Sequence, residues 1–239
     1  MEEKKPNKNE HQGHRERLRQ KVIKNGINSL AEHEVLELIL FYSLAQKNTN
    51  DLAHKLINRF GSVAAVLDAP QEQLLEIKGI SKTTVFVLKS LPQIASYYLE
   101  DKNGVADKIY GCEDAFKLLA PKFIGKTSEE LLMVFLSNSN KFLGCEFIAK
   151  GDVNSTQFTS RQLIEPCIRY NATQVILAHN HPSDILIPSP DDVITTKNVC
   201  ACLHTIDVVL LDHIIFGKNR CFSMNSSEQY KNLFIPPKK

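Results

Sequence analysis

Apolar residues in the first hundred positions recur at helical spacing, every three or four residues. Leucine, valine and isoleucine group in this way at 30–40, 52–57 and 63–67. Glycines at Gly26 and Gly61 interrupt the pattern, because glycine favours the ends of helices over their interiors. The pattern predicts four or five short helices over residues 13–100.

The hydrophobic pattern changes in the second half of the chain. Short continuous apolar runs, which are typical of buried strands, occur at 131–136, 142–149, 175–178 and 208–216. Two stretches with helical spacing, 159–170 and 189–203, lie between them. The sequence therefore predicts an α+β protein of two domains, a small all-helical N-terminal domain and an α/β C-terminal domain.

Changes in composition set the expected domain boundaries. The polar stretch Glu100–Gly104 marks a linker, which we place at 101–107. The helical domain then covers 13–100 and the α/β domain covers 108–232. We expect a loosely ordered or disordered basic tail at 1–12 and a second tail at 233–239.

Composition and charge narrow the class of protein. The 239 residues carry 29 Lys and Arg against 27 Asp and Glu, so bulk charge does not indicate a nucleic-acid-binding protein. The sequence has no apolar run long enough to span a bilayer and no apolar segment behind its N-terminus, which favours a cytoplasmic protein without membrane contact. The six cysteines form no Cys-x-x-Cys pair, and we expect them to be buried free thiols.

The segment 74–88 resembles a helix-hairpin-helix, with a glycine turn between two apolar-faced stretches. Such a turn directs backbone N–H groups at phosphate, and Lys78 and Lys82 flank Gly79. Ser81 stands where a second glycine is usual. The sequence thus suggests DNA backbone contact by Lys78, Gly79, Ser81 and Lys82, with a plain helical turn as the alternative.

The string His179-Asn180-His181-Pro182 directly follows a buried strand. Side chains alternate along an extended chain, so His179 and His181 point to the same side. Asp192 lies in the first turn of a predicted helix that Ser189 caps. Two imidazoles and one carboxylate leave a fourth zinc position open, as in catalytic zinc sites. The alternative is a pair of ordinary histidines and a simple helix cap.

Hydrolysis at such a metal also needs a general base, and Glu146 is the candidate. It interrupts an apolar strand, where an isolated carboxylate would be costly without a partner. An ordinary glutamate on an exposed face is the alternative, and Glu165 and Glu130 are rivals for the base. His213 and Asp212 are predicted to be a core pair, with a hydrogen bond to a metal ligand as the alternative.

These motifs together resemble a known metalloprotease family. His179-x-His181-Pro182, followed by Ser189-x-x-Asp192 and preceded by a glutamate, resembles the JAMM (JAB1/MPN/Mov34) motif. More narrowly, the chain looks like the bacterial RadC family, also called UPF0758, over roughly Gly13 to Tyr230. The loop 184–187 is more apolar than the loop usual in that family. The similar stretches are 13–18, 59–62, 78–80, 179–183 and 211–215.

The resemblance implies a JAMM/MPN zinc domain over 108–232. In it His179, His181 and Asp192 would bind one zinc ion per chain, Glu146 would be the general base, and Ser189 would donate to the oxyanion. The expected function is zinc-dependent hydrolysis of an amide or isopeptide bond in a peptide or protein.

Two alternatives stay open at this point. The first is a DNA-associated, repair-linked binding protein, which contacts DNA through its N-terminal domain and carries a non-catalytic MPN module. The second is metal-assisted hydrolysis of nucleic acid, which a single zinc with one carboxylate ligand fits less well. The sequence does not indicate an oligomeric state.

Overall fold

The computed structural model describes residues 8–44, 49–104, 108–151 and 158–235. The chain forms two compact units, Met1–Ile94 and Ala95–Lys239. The first is helical and the second is a mixed sheet with helices, so the predicted two-domain α+β class is confirmed. Within the described part of the chain, no helix is both long enough and apolar enough to cross a membrane.

The N-terminal unit is built from helices around a leucine-rich core. Gly61, with a φ of +94°, ends the third helix, and the Ser62 hydroxyl then accepts a hydrogen bond from the Ala65 N–H at the start of the fourth. Leu36, Leu56 and Leu88 are fully buried in this core. The helices are α1 (Lys8–Asn25), α2 (Glu32–Ser43), α3 (Asn50–Phe60), α4 (Val63–Asp68), α5 (Gln71–Leu75) and the first part of α6 (Lys82–Asn103), whose residues from Ala95 onward belong to the second unit.

The helix bounds overlap the segments predicted as tail and linker. Helix α1 already begins at Lys8, so the segment predicted as the tail 1–12 contains its first residues; 1–7 lie outside the described residues. Helix α6 continues through Asn103 into the segment predicted as a linker, because a polar, charged sequence also suits an exposed last helical turn. Residues 105–107 and 236–239 are outside the described part.

A buried carboxylate joins three segments of the helical unit. Glu37 on α2 is 1% exposed and accepts hydrogen bonds from His14 Nε2 at 3.0 Å, Thr49 Oγ1 at 3.2 Å and Asn50 Nδ2 at 3.2 Å. The four side chains connect α1 to α2 and to the start of α3. A buried carboxylate is tolerated when such donors satisfy its oxygens.

Replacing Glu37 by glutamine is expected to destabilise this unit by about 1–3 kcal/mol, because an amide nitrogen would face donors in a buried network. Urea unfolding checks this result. Glu32→Gln, at an exposed position of the same helix, is the control and should change stability by less than about 0.5 kcal/mol. Equal stability of the two variants would contradict a structural role for the network.

The C-terminal unit places one mixed sheet between helices. Its elements are α7 (Cys112–Leu119), β1 (Glu130–Leu136), β2 (Phe142–Lys150), α8 (Ser160–Arg169), β3 (Gln174–Asn180), α9 (Pro190–His204), β4 (Val209–Phe216) and β5 (Cys221–Ser223). Among the described residues the strand order is β2-β1-β3-β4-β5, with β3 and β4 parallel and the other neighbours antiparallel. Core residues of α8 and α9 pack on one face, and those of α7 pack on the other.

Two cysteines of this unit are not free thiols. Cys112, at the start of α7, and Cys221, in β5, form a disulfide with their Cα atoms 6.4 Å apart. The expectation of free thiols was wrong for this pair, because a separation of 109 residues in sequence hides their proximity in the fold. Cys145, Cys167, Cys200 and Cys202 are free.

Candidate metal centre

The crossover from β3 through α9 to β4 brings the two predicted histidines and the aspartate together. His179 lies near the end of β3, and His181 directly follows the strand. Both side chains point to the same side, and their Nε2 atoms are 2.8 Å apart. Asp192 Oδ1 lies 3.2 Å from His179 Nε2, and Asp192 Oδ2 lies 3.7 Å from His181 Nε2. All three side chains are buried, and one ligand atom of each lies within 4.8 Å of the others.

The N-terminal turn of α9 holds the Asp192 carboxylate in place. The Ser189 N–H and the Ser189 hydroxyl each donate to Asp192 Oδ2 at 2.7 Å, while the Ser189 hydroxyl accepts from the Asp192 N–H at 3.1 Å. This is a capping box with Pro190 in the first helical turn. Both hydrogen bonds that Ser189 donates to the carboxylate go to Oδ2, and Oδ1 faces His179.

A short loop fixes the orientation of His181. Its Nδ1 atom bonds to the backbone oxygen of Ile185. A carbonyl oxygen can only accept, so Nδ1 carries the proton and the lone pair of neutral His181 lies on Nε2. Asp184 anchors the loop, since its Oδ1 accepts from the Lys218 N–H at 2.8 Å and its carboxylate faces Arg220.

The cluster combines neutral and anionic donors. Burial lowers the pKa of His179 well below its usual value, with the nearby His213 acting in the same direction. Burial alone would raise the pKa of Asp192, but the neighbouring imidazoles of His181 and His179 and the hydrogen bonds from Ser189 lower it well below its ordinary value. For His181, burial lowers the pKa, but the nearby Asp192 carboxylate and the Ile185 carbonyl oxygen outweigh it, so the net shift is upward.

This donor set fits a zinc ion. Two imidazole nitrogens and a carboxylate oxygen converge on one point, and neutral histidine with ionised aspartate is the state that binds metal. Two Nε2 atoms 2.8 Å apart, when both carry lone pairs, repel each other, and a proton or a cation between them relieves this repulsion. The three side chains therefore form a group able to hold a metal ion.

A glutamate outside the sequence prediction lies beside this cluster. Glu129 Oε1 is 3.9 Å from His181 Nε2, and its side chain is 32% exposed, so water can reach it. It directly precedes β1, whose first residues pair with the end of β3: Leu131 is opposite His179. The sequence did contain a signal for Glu129, because an acidic pair, Glu129 and Glu130, stands at the start of a buried strand. Only the strand order shows that Glu129 lies beside the two histidines.

Asn180, between the two histidines, holds the segment that carries Glu129. Its Oδ1 accepts from the Glu130 N–H at 2.8 Å, and its Nδ2 donates to the Ser128 carbonyl at 3.0 Å. The amide thus binds the backbone on both sides of Glu129. Glu130 itself is 6% exposed and pairs with Lys126 at 2.9 Å.

The structure does not bring Glu146 to the three candidate ligands. It lies on β2, two strand spacings or about 10 Å from β3. Its register partner on β1 is Met133, not the residue opposite His179. Its Oε2 accepts from Arg169 Nη2 at 2.8 Å, so an arginine is the partner that the strand carboxylate needs. Glu165, the other rival, pairs with Arg161 at 3.2 Å.

His213 contacts the candidate ligand His179, which is the alternative that the sequence left open beside a core pair with Asp212. Its Nε2 is 2.8 Å from His179 Nδ1, and burial lowers its pKa to about 4. The Asp212 carboxylate accepts from Ser223 Oγ at 2.5 Å and from the backbone N–H groups of His213 and Asn225. The sequence alone could not predict the contact, because it depends on the pairing of β4 beside β3.

The residues predicted to contact DNA lie around the turn between α5 and α6. Gly79 adopts a φ of +107°, which favours glycine, and Lys78 and Lys82 are exposed. Ser81 serves as a helix cap: its hydroxyl accepts from the Thr84 N–H at 3.2 Å. This role explains why serine suits a position where the motif usually has glycine.

Known proteins match both units of the chain. Residues 109–230 match the family model described as RadC-like JAB domain, and residues 10–86 match the one described as UPF0758 N-terminal. The UPF0758 protein FN0909 of Fusobacterium nucleatum subsp. nucleatum is 34% identical over 221 residues. The aligned region covers 90% of this chain and 95% of that relative.

Proposed function

Since this chain belongs to the RadC-like JAB domain family, as its motifs suggested, we propose that it is a zinc-dependent hydrolase of the JAMM metallopeptidase type. It binds one zinc ion and cleaves an amide or isopeptide bond in a peptide or protein. The observation that carries the proposal is the convergence of His179, His181 and Asp192 on one point beside a partly exposed carboxylate. Such a donor set leaves a coordination position for substrate chemistry.

The role of each side chain in the proposed reaction follows from its contacts. Zinc, when bound, polarises a carbonyl group and makes water acidic enough to attack near neutral pH. His179, His181 and Asp192 hold it, because their donor atoms already face one another. One metal ion held by two imidazoles and one carboxylate would suit amide hydrolysis better than the two-metal chemistry common in nucleases.

We assign the general base to Glu129 in place of Glu146. Glu129 is 3.9 Å from His181 Nε2, whereas Glu146 lies on β2, two strands away from the candidate ligands, and accepts a hydrogen bond from Arg169. A base must reach the proton that it removes within hydrogen-bond distance or through one water molecule. Glu129 takes the proton from the attacking water and returns it to the leaving amine.

Ser189 keeps its proposed role as donor to the oxyanion. Its hydroxyl lies next to Asp192 and gives its single proton to Oδ2. The Ser189 N–H also binds that oxygen, so the carboxylate stays held when the hydroxyl redirects its proton to a substrate oxygen. Such a donor lowers the energy of a developing negative charge.

Hydrolysis is tested with the full chain loaded with zinc. Libraries of internally quenched peptides and of lysine-isopeptide conjugates are screened for cleavage, with chelated protein as the control. The proposal expects cleavage that chelation abolishes and added zinc restores. A zinc-loaded protein that cleaves neither library but hydrolyses a nucleic acid would replace the peptidase assignment with nuclease chemistry.

Replacing Asn180 by alanine is expected to lower kcat by about 10- to 100-fold while zinc stays bound. The loss of both backbone hydrogen bonds lets Glu129 move, and small displacements of a catalytic group are costly. Steady-state kinetics and zinc content measure the two effects separately. Asn138→Ala, in an exposed turn, is the control. An unchanged kcat in Asn180→Ala would show that the two hydrogen bonds of Asn180 do not position the base.

A second candidate function, DNA binding by the helical unit, has one specific observation in its favour. Lys78 and Lys82 are exposed on either side of the turn where Gly79 adopts its positive φ, next to the N-terminus of α6. Backbone N–H groups and lysines together suit phosphate contact without sequence preference. On this proposal the N-terminal unit would bring the hydrolase to DNA.

Replacing Lys78 and Lys82 together by glutamine is expected to weaken DNA binding at low salt and to reduce the salt slope by about 2, because each lysine neutralises one phosphate. Fluorescence anisotropy with a duplex at several salt concentrations measures both. Lys24→Gln with Lys55→Gln, also at exposed positions, is the matched control. A wild-type protein that binds no duplex at low salt would exclude this function.

A further inference from the structure

A chain of buried hydrogen bonds connects two of the candidate ligands through residues that do not bind the metal themselves. His179 Nδ1 lies 2.8 Å from His213 Nε2, and His213 Nδ1 lies 2.7 Å from Thr196 Oγ1. Thr196 Oγ1 then donates to the backbone oxygen of Asp192 at 2.6 Å. The chain runs from β3 through β4 to α9, and its side chains at 179, 196 and 213 are 0% exposed.

Counting protons fixes the direction of every bond in this chain. The Asp192 carbonyl oxygen can only accept, so the single hydroxyl proton of Thr196 points to it. Thr196 must then accept from His213 Nδ1, which places the proton of neutral His213 on that atom. His213 Nε2 therefore accepts, and His179 Nδ1 donates to it.

The result is one defined tautomer of His179. With its proton on Nδ1, neutral His179 carries a lone pair on Nε2, the atom that faces Asp192 and His181. The opposite tautomer would direct an N–H group into the cluster and leave two lone pairs facing each other between His179 and His213. The bond from His181 to the Ile185 carbonyl fixes the other imidazole independently.

We propose that His213 and Thr196 are positioning residues, which hold His179 in the tautomer that binds the metal through Nε2. The inference rests on the proposed function, because it describes how the same site is prepared for zinc. Partners of ligating histidines set both ring orientation and ligand basicity.

Zinc affinity of the full chain, measured by competition with a chelator, tests the proposal. Thr196→Val removes the hydroxyl and keeps the shape, and it should weaken zinc binding about 10-fold; Thr196→Ser keeps the hydroxyl and should stay within about 2-fold of wild type. His213→Leu should weaken binding by about 10- to 100-fold, and His213→Gln, whose amide oxygen can accept from His179, should recover much of the loss.

Nitrogen NMR of the histidine side chains gives a readout that a purely structural role would not change. In metal-free wild-type protein His179 should carry its proton on Nδ1, and in Thr196→Val the Nε2–H form should appear while the fold is retained by circular dichroism. Unchanged zinc affinity in both Thr196→Val and His213→Leu, or an Nε2–H on wild-type His179, would overturn the proposal.

The same measurements separate this inference from the proposed function. A wild-type protein that binds zinc but hydrolyses no peptide counts against the function, while the affinity series still decides the roles of His213 and Thr196. A wild-type protein that binds no zinc counts against the zinc site, and the tautomer measured on the metal-free protein still decides whether the chain of hydrogen bonds sets His179.

Discussion

Replacing Glu129 by glutamine is expected to lower kcat by about 10²- to 10⁴-fold, the contribution typical of a general base, while zinc remains bound. Glutamine keeps the size of the side chain but cannot take a proton. The carboxylate lies 3.9 Å from His181 Nε2 without belonging to the three-ligand set, so its loss should affect turnover more than metal affinity. Kinetics on a cleaved library peptide and zinc analysis of the same sample measure the two quantities.

Glu146→Gln is the matched control for this prediction. Its partner is Arg169, on a helix that packs against the sheet, so its effect should be on stability and not on kcat. The opposite result, an active Glu129→Gln and an inactive Glu146→Gln, would return the base to Glu146 and contradict the assignment made from geometry.

Replacing Asp192 by asparagine is expected to weaken zinc binding by at least about 100-fold. The substitution removes the anionic member of a buried ligand set, and metal affinity depends on deprotonated ligands. The asparagine oxygen can still accept from the Ser189 N–H, so the helix start should be retained. Chelator competition measures the affinity.

The neighbouring Asp191 provides the control, since Asp191→Asn removes one charge from the same helical turn at an exposed position. It should leave zinc affinity within about 2-fold of wild type, because exposed charges are screened by solvent. Equal loss in the two variants would mean that general electrostatics, and not ligation, accounts for the effect.

The class of fold could be predicted from hydrophobic periodicity alone. Helical spacing before residue 100 and short apolar runs after it correspond to the two observed units. The bounds of polar segments were harder to predict, because exposed helical turns and linkers share the same composition, as residues 101–103 at the end of α6 show. The disulfide between Cys112 and Cys221 depends on tertiary proximity, which spacing does not encode.

The candidate ligands could be chosen from local sequence, because alternation on a strand and a helix cap are short-range features. His179, His181 and Asp192 follow from such features, and the structure brings them together. The residues that surround the candidate ligands could not be chosen in this way, because their positions depend on strand order. Glu129 becomes adjacent through the pairing of β1 with β3, and His213 through the pairing of β4 with β3.

Glu146 shows where local sequence misleads. A carboxylate in an apolar strand does need a partner, but the sequence could not tell a metal-site water from an arginine on a packed helix. Arg169 is 23 residues away, and its position depends on how α8 lies against the sheet. The need for a partner follows from burial alone, whereas the identity of that partner is a tertiary property.

Zinc content of the purified full chain, measured by elemental analysis, tests the central claim most directly. We expect close to one zinc ion per wild-type chain and loss of that zinc in folded His179→Ala and Asp192→Ala variants. A wild-type protein that holds no zinc and takes up none when it is added would contradict the zinc-hydrolase assignment. The three side chains would then be a strand end beside a helix cap, and DNA binding would become the leading function.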